Sequence, residues 1–136
     1  MAKDCIFCRI AAGELDAHRV YESPNAVAIL DTHPAARGHT MVIPRAHAPT
    51  LVDLDDDAVG EVFRTVKLVM RRIQDVLHPI AFNVGWNHGA AAGQHVFHLH
   101  VHVLPRYREA GRGVQALGEG TDRHELASLA ESLRKA

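Results

Sequence analysis

The chain has 136 residues, 47% of them apolar and 23% charged, with two cysteines and a formal net charge of −1. That length suits one domain with a core large enough to fold without disulfide staples. The near-neutral balance excludes global steering toward nucleic acid or an anionic membrane, and no apolar run approaches the eighteen or so residues of a spanning helix.

The opening, MAKDCIFCRIAAGE, lacks the apolar core of a signal peptide, so a cytoplasmic location is expected. Residues 4–12 read as a short helix with Asp4 as N-cap and Gly13 at its end. Within it, Cys5 and Cys8 form a CxxC. In a reducing compartment that spacing points to metal binding or redox chemistry rather than a structural disulfide. No strand precedes it, which speaks against a thioredoxin-like unit.

Residues 19–23 and 26–31 flank the turn signal Pro24-Asn25 and read as a hairpin. Residues 32–39 form a loop, and 40–44 form a strand that Pro44 ends. From about Asp55 to His78 the apolar spacing becomes helical, through Val59, Val62, Phe63, Val66, Val69, Met70, Ile73 and Leu77. Asp55, Asp56 and Asp57 suit the positive end of the helix dipole, and Pro79 prevents continuation. Residues 80–86 are another strand, 87–94 a glycine-punctuated loop, and 96–104 a strand that Pro105 closes. Trp86 is assigned to the core or to a subunit interface. Residues 111–121 are glycine-rich and read as mobile. Residues 122–135 form a terminal helix with Leu126, Leu129 and Leu133 on one side. The sum is a single α+β domain over 1–136 with its core at about 4–106. It has an antiparallel five-stranded sheet, one long crossing helix and short terminal helices.

Eleven histidines occur, eight of them between His39 and His102. His98, His100 and His102 alternate with large apolar residues. In a strand they share one face, about 6–7 Å apart in successive pairs. Phe97, Leu99, Val101 and Val103 share the other face and are expected against the long helix. Three imidazoles in phase suit either a metal cluster or phosphate chemistry. The preceding loop favours phosphate: Gly89 and Gly93 let backbone N–H groups approach an anion, and Asn87 and Gln94 add donors. No carboxylate occurs from Ile80 to Arg108. His18, His33, His78, His88 and His124 read as solvated or capping residues.

HLHVHVL, together with NHGAAAGQHVF, LDTHPAARGHTMVIPRAH and CIFCRI, resembles the histidine triad superfamily, and most closely its small Hint-like bacterial branch. The resemblance implies a nucleotide-binding hydrolase that cleaves at the α-phosphate of a purine nucleotide, most readily a nucleoside phosphoramidate. LPRY (104–107) is more similar to the Fhit branch, which keeps dinucleoside polyphosphates as an alternative; a third is a nucleotide-binding regulatory protein with little turnover. By position, His100 would be the nucleophile and His102 would hydrogen-bond the phosphate. His39 would lie behind the nucleophile. Asn87, Gly93 and Gln94 would hold phosphate oxygens, Asp31 the ribose hydroxyls, and Ile6, Phe7, Ile10 and Leu30 the base. His95 stands where the closest eukaryotic relatives carry a small hydroxyl residue, which bears on the leaving group. Distant members bind zinc through positions matching Cys5, Cys8, His47 and His98; the plain alternative is two small cysteines in a helix and a surface His47. The resemblance also implies a homodimer; from the near-neutral charge and the lack of a spanning segment, neither nucleic acid nor a membrane is expected as partner.

Overall fold

The computed structural model describes residues 4–107 and 123–136. The glycine-rich stretch 111–121 lies outside the described residues. Helix α1 (Ile6–Ala11) is followed by strands β1 (Arg19–Glu22), β2 (Ala26–Leu30) and β3 (Thr40–Pro44). Then come the long helix α2 (Asp56–Leu77), β4 (Ala81–Gly85), β5 (Val101–Arg106) and the terminal helix α3 (Arg123–Lys135). Two short 3-10 turns, Leu51–Asp53 and Ala90–Ala92, carry no sequence signal strong enough to anticipate. The sheet is five-stranded and antiparallel, in the order β1-β2-β3-β5-β4. The expected α+β architecture is therefore present.

Helix α2 starts where Asp55 caps it, its carboxylate accepting from the Ala58 N–H at 2.9 Å. It stops at His78, a left-handed C-cap with φ 52°, just before Pro79. The face carrying Val62, Val66, Val69 and Ile73 packs on the sheet with Val20, Ala28, Leu30, Val42, Leu99, Val101 and Val103. Leu126, Leu129 and Leu133 of α3 complete this core, as their spacing predicts. Each such side chain contributes roughly 1.5–3 kcal/mol by leaving water. A smaller core lies on the opposite sheet face, where Phe7, Ile10 and Ala11 of α1 cover Val27, Ile29 and Ile43. Strand β2 feeds both cores because its side chains alternate.

Three local expectations are corrected. Helix α1 is capped by Cys5, not Asp4: the Cys5 Sγ accepts from the Cys8 N–H at 3.3 Å. Strand β5 starts at Val101 rather than 96, because β3 ends at Pro44, which has no N–H to extend the ladder. Upstream of Val101 the chain leaves β3, and the Leu99 N–H bonds the Ala48 carbonyl at 2.8 Å instead. Phe97 is therefore 49% exposed, whereas Leu99, Val101 and Val103 are in the core. Finally, Pro105 does not close β5. Pairing with β3 ends at Val103, so Pro105 faces only β4, opposite Phe82, and sits where a missing N–H is tolerated.

Candidate functional site

The site forms on the α1 face of the sheet, where β5 enters from the glycine loop. His98 is fully buried and His100 and His102 are half-buried. Hydrogen-bond partners determine which ring nitrogen of each carries the proton, because a carbonyl can only accept and a backbone N–H can only donate. The His100 Nδ1 sits 2.8 Å from the His98 carbonyl oxygen. It must be protonated, which leaves the lone pair on Nε2. The Phe7 ring packs against His100 with centroids 4.9 Å apart.

Behind His102 lies His39, buried just before β3, with its Nε2 3.8 Å from the Asp31 carboxylate. The Ala35 N–H donates to His39 Nδ1 at 3.1 Å, so neutral His39 carries its proton on Nε2. That Nε2 is 2.9 Å from His102 Nδ1 and donates to it. His102 is in turn left with Nε2–H as the group it can offer. Burial, with smaller contributions from His39 and His100, pushes the His102 pKa down to about 4, against a raising influence of Asp31. Burial also lowers His39, opposed by Asp31 and assisted by Arg106. Both rings are therefore neutral near pH 7. His39 lies behind His102 rather than behind His100 as expected from sequence.

A second cluster joins α1 to the start of β5. Cys5 Sγ and Cys8 Sγ lie 3.2 and 3.4 Å from His98 Nδ1. His47 Nδ1 lies 3.3 Å from both Cys8 Sγ and His98 Nδ1. All four atoms are within 4.8 Å of one another. Tetrahedral zinc bonds of about 2.3 Å to sulfur and 2.0–2.1 Å to nitrogen set S···N near 3.5 Å and N···N near 3.4 Å. The donor set therefore fits zinc in number, type and spacing. The His98 tautomer fits as well. Its Nε2 lies 2.7 Å from the Pro44 carbonyl oxygen, so Nε2 holds the proton and Nδ1 presents a lone pair to the other three. Asp31, His39 and His102 also converge within 4.8 Å, but they do not fit a metal. The His39 lone pair is already taken by the Ala35 N–H, and its Nε2 proton occupies the line to His102.

A model of the HIT domain family matches residues 12–109. The chain belongs to this family. HIT proteins bind nucleotides and are in general nucleotide hydrolases or transferases. The chain is similar to an adenylylsulfatase of Arabidopsis thaliana, 39% identical over 106 residues, which cover 78% of this chain and 54% of that protein. It is also similar to the crystal structure of a hypothetical histidine triad nucleotide-binding protein from Sulfolobus tokodaii. There the TM-score is 0.86 at 32% identity, covering 96% of this chain and 90% of the other. A zinc-bound histidine triad family protein from Mycobacterium smegmatis gives a TM-score of 0.82 at 36% identity, covering 97% and 94%.

Within this HIT fold two sequence assignments shift. Leu30 points into the α2 core, away from α1. Ile29 lies with Phe7 and Ile10 instead, and Ile6 is 47% exposed beside them. A signal for this was present: Asp31 and Ile29 are two residues apart and share a face, whereas Leu30 does not. Gln94 is not free to hold a phosphate. Its amide nitrogen donates to the Pro49 and Val96 carbonyls at 2.6 and 3.1 Å, and its oxygen accepts from the Gly89 N–H at 2.8 Å. It shapes the loop that Gly89 and Gly93, with φ of 90° and 94°, allow to turn. Asn87 reaches across that loop to the Gly93 carbonyl at 3.3 Å and is exposed, as is His95. No helix of the described residues is long and apolar enough to cross a membrane.

Proposed function

We propose that this HIT protein hydrolyses nucleoside phosphoramidates of purine nucleosides through a nucleotidyl-histidine intermediate on His100. The observation that carries the reading is the His100 Nδ1 to His98 carbonyl bond of 2.8 Å, which leaves the lone pair on Nε2 of a ring packed against Phe7. In the first step His100 Nε2 bonds to the α-phosphorus and the P–N bond to the amine breaks. The amine leaves with the electron pair and takes its proton from water. In the second step water attacks phosphorus and the bond to His100 breaks, giving the nucleoside monophosphate. A neutral imidazole needs no strong base for this, and covalent catalysis divides a hard hydrolysis into two displacements. His102 Nε2–H, Asn87 and the backbone around Gly93 are donors for the phosphoryl oxygens. Asp31 suits the ribose hydroxyls, and Ile6, Phe7, Ile10 and Ile29 suit the base.

Cys5, Cys8, His47 and His98 would hold a structural zinc ion. Bound there, zinc would supply no chemistry to the phosphoryl group; it would fasten the base-side helix to the strand that carries His100. Among the described residues no strand pairs with the outer edge of β4, and Ile80, Val84 and Trp86 near it are 70%, 38% and 36% exposed. That edge supports a homodimer joined strand to strand, which sedimentation would read directly.

The test is product analysis of wild type and His100→Ala with adenosine phosphoramidate and diadenosine tetraphosphate. Wild type should cleave the phosphoramidate faster, and the variant should cleave neither while still binding AMP. Faster cleavage of diadenosine tetraphosphate would overturn the substrate class, and turnover by the variant would overturn the mechanism.

A further inference from the structure

The loop between β2 and β3 is built more tightly than a connection requires. Its ends are joined by the Asp31 N–H to His39 carbonyl bond at 2.9 Å, and the His39 N–H closes a turn on the Ala36 carbonyl at 3.0 Å. Three outside contacts then hold it. Gly38 (φ 90°) lies so close to α2 that a Cβ there would come within 2.7 Å of Leu77 Cδ1. The Tyr107 hydroxyl, just past the end of β5, donates to the Arg37 carbonyl at 2.5 Å. The Arg37 guanidinium meets Glu125 of α3 at 3.0 Å. The ion pair is exposed and holds little by itself. The tyrosine bond is directed at backbone, two residues from the Ala35 N–H.

That N–H decides which way the histidine pair shares its proton. With Ala35 N–H on His39 Nδ1, His39 donates through Nε2 and His102 presents Nε2–H. Without it, His39 is free to hold its proton on Nδ1. His39 Nε2 and His102 Nδ1 would then meet as two lone pairs, unless His102 moved its own proton to Nδ1 and lost its outward donor. Among the described residues, the charged and titratable groups around the pair are Asp31, Arg106 and His100, and none of them replaces a backbone donor at Nδ1.

We infer that Tyr107 is a positioning residue of this site: by holding the Arg37 carbonyl, it keeps the Ala35 N–H on His39 and so aims the His102 Nε2–H donor outward. The kinetic part of this inference rests on the reaction proposed above; the proton arrangement does not. Tyr107→Phe keeps the ring and removes only the hydroxyl.

Two readouts test it. Long-range proton–nitrogen NMR spectra of the free protein assign the histidine tautomers without substrate. Wild type should show His39 and His102 protonated at Nε2, and Tyr107→Phe should shift His39 toward a mixture. In turnover, the variant should lose about threefold to tenfold in kcat, the worth of one hydrogen bond, with KM within about twofold. Unchanged His39 nitrogen shifts in the variant, or a lowered Tm with kcat intact, would overturn the inference, as would wild-type His39 protonated at Nδ1. Wild type with the stated tautomers but no nucleotide turnover would refute the proposed reaction and leave the tautomer assignment standing.

Discussion

Acid should destabilise this protein through His102 in particular. Burial holds its folded-state pKa at about 4, whereas the unfolded chain takes up that proton near 6.5. Between these values the unfolded state binds more protons, so stability falls as pH falls. The loss begins near 6.5 and levels off near 4. Linkage over that interval gives about 2 kcal/mol between pH 7 and pH 5, and about 3 kcal/mol below pH 4. That is a large share of the ~5–15 kcal/mol that holds a domain folded. His39, pushed down chiefly by burial, adds to the same slope. His102→Asn isolates one share of it, since its side-chain oxygen can still accept from His39 Nε2–H but cannot titrate. The assay is urea unfolding followed by circular dichroism in steps from pH 7 to 4.5, at fixed zinc concentration. Wild type should lose about 2 kcal/mol more than His102→Asn between pH 7 and 5. Parallel curves would refute the claim that burial holds His102 neutral.

Zinc analysis of purified protein should find one ion per chain, and Cys8→Ser should abolish it. Chelation of wild type should lower Tm, because the ion joins α1 to β5; a wild-type protein free of zinc after refolding with excess metal would contradict the donor-set argument. Gly93→Ala forces a side chain into φ 94° and brings its Cβ to 3.3 Å from Asn87 Nδ2. It should cost about 1–2 kcal/mol of stability and raise KM for nucleotide more than it lowers kcat. An unchanged KM would show that this loop does not meet the ligand.

The sequence by itself determined the elements that depend on local spacing. Helix α2 was legible because its apolar residues keep a helical period from an Asp cap to a Pro stop. The Leu126, Leu129 and Leu133 stripe and the five strands followed from period and punctuation. The triad and the CxxC stood out because three alternating imidazoles and two close thiols are rare patterns with specific chemistry. What alternation could not settle was where pairing stops. Pro44 ends β3, so Phe97 lies outside the ladder and does not join the core that its alternation predicts, while His98 keeps to the face of His100 and Pro105 remains inside the ladder. Tertiary structure also decided the roles that depend on partners distant in the chain. Pro44 and His98 carbonyls choose the proton positions of His98 and His100, and the Ala35 N–H chooses that of His39. Gln94 spends its amide on Pro49 and Val96. A tautomer belongs to a pair of groups, and the chain brings those pairs together only when the sheet closes.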